Sequence, residues 1–380
     1  MRTGWGSAMQ ATKSPSSLVL GLSLFSLFFG AGNMIYPLHV GALFGEAWGA
    51  SAMGFLMSAV IFPFFAICTL YSFRGNLSLI LANMGTRFRA PFLFLILTVW
   101  IPLVAAPRCI TMVMGSLEML GWVVPRGTLS ACYSLLVIAI AWKRFPRLNG
   151  LGLILMPLLL LSLLVLVLRG MWLMGPLPEG AFRGDLGGAF YTGLLAGCHT
   201  MDLFAALFCS TAALPFFQQA SISFISFPQF MRGGLGALGV LGSLYLGLVI
   251  LAANYGGQLQ LVPQEKALAF LATAFLQKPW SNLAVGAVLL ACLTMSVALA
   301  FLYAKYLQTH VLASFSWGSY KVALCITVII SWMVSFLGFE GITSMSAPLL
   351  KGLYPLVLGL LVLAILRRGG TSLPLRKERL

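Results

Sequence analysis

Charge is what this chain lacks. Only 8% of its 380 residues are Asp, Glu, Lys or Arg, where a soluble domain carries roughly a quarter. Acids are the scarcest, eight against 23 Lys and Arg, while hydrophobic residues fill 60% of the sequence. So little charge would leave too much apolar surface in contact with water. A soluble enzyme or binding module is excluded. What remains is a membrane bundle, each span taking about 20 apolar residues.

The net charge of +15 does not point to nucleic acid. The basic residues stand singly between apolar runs, as topology determinants do. The seven cysteines also lie inside apolar runs, with neither metal-ligand spacing nor a disulfide framework. They read as small buried hydrophobes. No cofactor, no metal beyond a coupling ion and no obligate protein partner is indicated; the expected surroundings are the lipid bilayer. No cleavable signal peptide is evident. The polar stretch Met1 to Ser17 leads into an apolar run too long for a signal core.

What is present is a series of apolar runs. Spans are expected near residues 18–43, 48–73, 91–117, 128–142, 150–169, 189–216, 234–254, 281–307, 319–338 and 342–366. The expected class is an all-α membrane protein of about ten spans. A tail covers 1–17, one bundle covers 18–366, and a basic tail covers 367–380. With both termini in the cytoplasm, sixteen of the 23 basic residues fall inside and five outside; Arg108 and Lys351 lie within spans. That bias sets the expected orientation in the membrane. Asp202 is the only acid deep in a span. One outer loop is long, from Tyr255 to Ser281. Its middle, Gln264 to Gln277, has helical spacing, and reads either as a helix over a vestibule or as a plain surface helix.

Two spans break the apolar rule in corresponding places. Span one contains Gly30-Ala31-Gly32-Asn33 and then Tyr36-Pro37. Span six contains Gly193, then Gly197-Cys198-His199-Thr200-Met201-Asp202. Each opens a five-span half, about 18–169 and 189–366. An odd number of spans per half inverts the second half, and two such halves with broken first helices point to an inverted-repeat secondary transporter. Unwound backbone at mid-membrane is tolerated only where it lines a cavity or binds something. Half-helix N-termini favour an anion such as a carboxylate, and freed carbonyls favour a small cation. A zwitterionic amino acid with a cation meets both demands. Close helix packing is the plainer reading of the glycines.

At these residues the sequence resembles the bacterial branched-chain amino acid carriers. Phe25-Ser26-Leu27-Phe28-Phe29-Gly30-Ala31-Gly32-Asn33-Met34-Ile35-Tyr36-Pro37 is similar to that family's first span. Ala105-Ala106-Pro107-Arg108, Thr200-Met201-Asp202, Ala291-Cys292-Leu293, Ser346-Ala347-Pro348 and Leu353-Tyr354-Pro355 agree in order, so the likeness covers most of residues 15–365. It implies the five-plus-five inverted-repeat fold of the amino-acid/sodium symporters. It also implies import of leucine, isoleucine or valine with Na+. Two departures stand out. The family usually has about twelve spans where ten are read here. Lys351 occupies a place where a small polar residue is more typical, and a buried lysine can substitute for a bound cation or titrate.

The candidate roles follow. Gly30, Ala31, Gly32, Gly197, Cys198, His199 and Thr200 are candidates for the substrate. Gly30, Asn33, Asp202, Thr294 and Ser296 are candidates for the cation, because hard cations take oxygen ligands. Thr294 and Ser296 equally suit back-bonding to their own helix, and His199 suits packing. Asp202 either lies on the cation path or pairs with Arg108. Arg108 follows Pro107, where a carbonyl of the previous turn is freed; it bonds such carbonyls or lines the cavity. Pro37, Pro107, Arg108 and Lys351 are structural or gating candidates. The alternative within the class is a proton-coupled carrier of methionine or another apolar amino acid. An intramembrane enzyme using Asp202 and His199 lacks a second acid or a catalytic pair. A channel lacks a ring of pore charges.

Overall fold

The computed structural model describes residues 30–122, 124–142, 148–175, 185–208, 227–313 and 319–370. Among these residues every regular element is a helix. The first twelve residues of the expected first span, residues 209–216 of the sixth, the 1–17 tail and residues 371–380 lie outside the described residues.

Ten helical segments lie where the ten apolar runs fall. Span one is Ala31–Phe44. Span two runs from Trp48 to Ser72 with a π turn at Met57–Ile61. Span three runs from Thr86 to Met119 with a π turn at Ile101–Ala105. Spans four and five are Arg126–Ala141 and Leu148–Leu173. Span six is Leu186–Cys198 followed by a second helical piece over 202–208. Span seven is Phe227–Asn254, span eight Trp280–Tyr306 with a π turn at Leu307–Val311, span nine Tyr320–Ser335 and span ten Gly338–Gly370. Five stretches are long and apolar enough to cross a membrane by length and composition: Ala31–Ser72, which holds two spans, then Arg87–Met119, Phe227–Asn254, Trp280–Val311 and Gly338–Arg367. Large apolar side chains such as Leu135, Leu161, Leu168 and Leu366 are exposed around the bundle, as a lipid-facing surface requires.

The local chemistry explains the ends. Asp185 and Ser319 accept from the amides of Gly187 and Val322, capping spans six and nine. Pro102 and Pro107 bring no N–H to the helix of span three; Pro102 lies within the π turn at Ile101–Ala105 and Pro107 just after it.

The helices sort into two groups by contact. Spans one, two, six and seven pack on one another, with span six running along span two and span seven along span one. Spans three, four, eight and nine form the other group, and span five rests on span eight. Span ten touches both, meeting spans two and six on one side and three and nine on the other. The span two–span six interface is close because it is built from glycine. A Cβ on Gly193 would collide with the Ser51 carbonyl, one on Gly54 with the Phe190 carbonyl, and one on Gly197 with Ser58 Oγ. The Ser58 hydroxyl donates across this seam to the Leu194 carbonyl at 2.7 Å.

The 255–281 loop contains Gly256–Leu259, Gln264–Lys266 and a helix Ala267–Phe275. Six of that helix's nine residues are buried, so it is no plain surface helix. Glu118, at the end of span three, holds the loop's Lys266 at 2.6 Å and Arg126 at 3.0 Å. On the other side Gln260 Nε2 donates to the Ala42 carbonyl of span one at 2.8 Å. The loop thereby joins both helix groups.

Candidate functional site

Span one begins, within the described residues, at a helix start in the bundle interior. Gly30 is extended (φ −127°, ψ −177°), and the helix begins at Ala31. The helix is buried almost all round through Ala42, with Pro37 inside it. Pro37 brings no N–H to the carbonyl of Asn33 one turn earlier.

Span six breaks between Cys198 and Asp202. The turn is tight. The amides of His199, Thr200 and Met201 bond back to the carbonyls of Ala196, Gly197 and Cys198. Met201 then takes φ +61°, a left-handed conformation that costs a non-glycine residue roughly 1 kcal/mol. The amides of Phe204 and Ala205 both bond the Met201 carbonyl and start the second piece. Asp202 therefore sits in the first turn of a helix, where the dipole favours negative charge.

The start of span one and the break in span six meet. A Cβ on Gly32 would lie 3.2 Å from the Thr200 Cα and 3.5 Å from the His199 carbonyl oxygen, so the glycine eases a close approach of the two chains. Asn33, fully buried, donates from Nδ2 to Asp202 Oδ1 at 2.9 Å. Tyr245 of span seven donates to Asp202 Oδ2 at 3.2 Å. Asp202 is 1% exposed and forms no salt bridge among the described residues.

Arg108 does not pair with Asp202. Its Nη1 donates to the His199 carbonyl at 2.8 Å, and its Nη2 to Thr343 Oγ1 at 3.3 Å and Ser346 Oγ at 3.2 Å, both on span ten. The bond to a break carbonyl is of the kind expected, but the carbonyl belongs to span six rather than to its own previous turn. The rings of Tyr36 and Phe339 lie 5.2 Å and 5.4 Å from the guanidinium carbon. Tyr36 also stacks on His199 and pairs its hydroxyl with Thr343 Oγ1 at 3.0 Å. One network thus ties spans one, three, six and ten together around the break.

Other candidates fall elsewhere. Gly197 faces Ser58 and Phe55 of span two, so it serves the helix seam. Cys198 also neighbours Ser58. Thr200 bonds its hydroxyl to the Gly197 carbonyl at 2.7 Å and stays beside Asp202 at the break. Thr294 bonds back to Leu290 and Ala291 of its own helix. Ser296 shares a 2.8 Å bond with Tyr133 of span four. Span eight reaches Gly30 instead through Met295, whose methyl would lie 2.6 Å from a Cβ placed there. Ala31 backs onto Cys109 of span three. Lys351 is exposed on span ten rather than buried, within electrostatic reach of His199. Tyr245 and Thr343 are polar partners that the sequence did not mark, and Ser346 was marked only as part of the Ser346-Ala347-Pro348 likeness.

A cavity of about 220 Å³ opens beside this network. Span one lines it with Ile35, Leu38, His39 and Ala42, span ten with Glu340, and the loop with Gln260, Gln264 and Ala267. Ile35 and Leu38 flank Tyr36-Pro37 in the chain. The loop helix borders this cavity at its first residue, Ala267.

Comparison with known proteins decides the family. The profile of the branched-chain amino acid transport proteins matches residues 13–374. The chain belongs to this family. Its relatives include the branched-chain amino acid transport system 2 carrier protein of Pseudomonas aeruginosa, 28% identical over 94% of this chain and 82% of that one. The branched-chain amino acid permease BraB of Bacillus subtilis is 26% identical over 92% of this chain and 80% of the other. In three dimensions the carrier is similar to the inward-facing conformation of Mhp1, with a TM-score of 0.52 at 13% identity over 94% of this chain and 78% of the other. That likeness speaks to fold alone. It agrees with an all-α five-plus-five architecture whose first and sixth helices are broken. The carrier is a multi-pass membrane transport protein and not an enzyme.

Proposed function

We propose that the carrier imports branched-chain or other hydrophobic amino acids by Na+ symport across the bacterial cytoplasmic membrane. The family supports the substrate class, and its relatives are branched-chain amino acid carriers, which makes leucine, isoleucine and valine the first to try. One observation carries the coupling. Asp202 is buried at a helix break with two neutral donors, Asn33 and Tyr245, and no salt bridge among the described residues. An ionised acid in such a place costs several kcal/mol unless something neutralises it. A small hard cation suits its carboxylate oxygens, and the Asn33 amide, turned over, would present oxygen instead of NH2. The Thr200 hydroxyl stands close by. A proton on Asp202 is the rival, because it would neutralise the same group. The carrier would then be proton-coupled, with methionine among its substrates.

The mechanism is alternating access. The group of spans one, two, six and seven would rock against the group of three, four, eight and nine around the breaks. Arg108 and the 255–281 loop join the two groups, so their bonds must change in each cycle. The test is uptake of labelled leucine, isoleucine, valine and methionine into proteoliposomes under an imposed Na+ or proton gradient. Uptake driven by Na+ supports the proposal; uptake driven by protons alone selects the rival. If neither gradient drives any of the four, the function is refuted.

A further inference from the structure

We infer that Arg108 is the receptor for the carboxylate of the transported amino acid, an assignment resting on the substrate class proposed above. The guanidinium is 2% exposed at the meeting point of the two helix breaks. Every acceptor it holds is neutral: the His199 carbonyl and the hydroxyls of Thr343 and Ser346. The two hydroxyl bonds, at 3.3 and 3.2 Å, are long for a charged donor. Its Nε is buried with no partner. No acid forms a salt bridge with it among the described residues, and Asp202 is turned to Asn33 and Tyr245 instead.

A charge that cannot titrate away is thus held in the bundle interior without a counter-ion. Such a charge costs several kcal/mol and is met at functional sites rather than in packing. The guanidinium fork matches a carboxylate in a bidentate way. A carboxylate would engage the unpartnered Nε and take Nη2 from the span ten hydroxyls. Nη1 would stay on the His199 carbonyl. The start of span one reinforces the choice. Gly32 abuts the same His199 carbonyl, and the N-terminal turn of that helix presents its amides and positive dipole end there. Tyr36 and Phe339 wall the guanidinium and keep water away. Recognition by charge at this point explains how a site for apolar side chains rejects apolar molecules that are not amino acids.

The experiment measures competition with labelled leucine on the purified carrier, using leucinamide and 3-methylbutylamine, which lack the carboxylate. In the natural protein leucine should bind at least about tenfold more tightly than either amine, the scale of a charge-assisted hydrogen bond. In Arg108→Gln leucine should fall to the affinity of leucinamide while leucinamide is unchanged. Equal loss of both ligands, or no loss, overturns the assignment. Should the Gln variant aggregate, Arg108→Lys carries the test. It keeps the charge and loses the fork, so the leucine-to-leucinamide ratio should shrink without vanishing, and an unchanged ratio overturns the assignment. A natural protein that binds leucinamide as well as leucine overturns the assignment alone. One that binds none of leucine, isoleucine, valine and methionine overturns the substrate class, and this assignment with it.

Discussion

Asp202 presents two oxygens, and the protein meets each with one neutral donor, an amide from span one and a phenol from span seven. Asp202→Asn keeps the shape and an acceptor oxygen while removing the charge that a cation would answer. Gradient-driven uptake should then fall roughly tenfold to a hundredfold, the range of an ordinary coupling free energy. Counterflow of labelled leucine without a gradient should persist. Sodium dependence equal to that of the natural protein would remove Asp202 from coupling. The acid itself was legible in the sequence, because an ionisable group within a span stands out. Its partner Tyr245 was not, since a tyrosine in an apolar helix carries no mark of the direction it points. Arg108 was equally visible, but its acceptors lie 235 and 238 residues away. Thr343 and Ser346 also bond to their own helix, just as Thr294 does. Spacing alone cannot separate a serine or threonine that only back-bonds from one that also receives an arginine.

At the scale of the helices, the glycines of the two breaks serve different purposes. Gly32 brings span one against the turn of span six, whereas Gly193 and Gly197 bring span six against span two. The sequence showed both clusters as interruptions, and only the packing partner distinguishes a site from a seam. The π turns of spans two, three and eight left no trace in periodicity, because one extra residue in a wholly apolar run changes nothing in the pattern. The seam makes a direct prediction. Gly197→Ala places a methyl into Ser58 Oγ and the Phe55 carbonyl. Overpacking of this kind costs about 1–3 kcal/mol, so the melting temperature of the purified carrier should drop. Gly236→Ala is the matched control, for that glycine is exposed on span seven with nothing within 4 Å of the added carbon. Equal melting temperatures for the two variants would mean that span six does not seat on span two this way.

For the molecule as a whole, the apolar runs announced the ten helices, the likeness to inverted-repeat carriers implied a bundle of spans one, two, six and seven, and contacts between spans far apart in sequence agree with it. Orientation is a separate matter, since packing is indifferent to which end faces the cell. It follows instead from charge: sixteen Lys and Arg on one side against five on the other, a bias that retains the richer side in the cytoplasm. The charge count predicts both termini on the richer side and the 255–281 loop with its cavity on the poorer side. Green fluorescent protein fused after Leu380 should therefore fluoresce, and alkaline phosphatase fused there should be inactive. Phosphatase inserted after Leu261, a loop residue 86% exposed, should be active. The reverse pattern would invert the carrier in the membrane. The cavity lined by His39, Gln264 and Glu340 would then open to the cytoplasm.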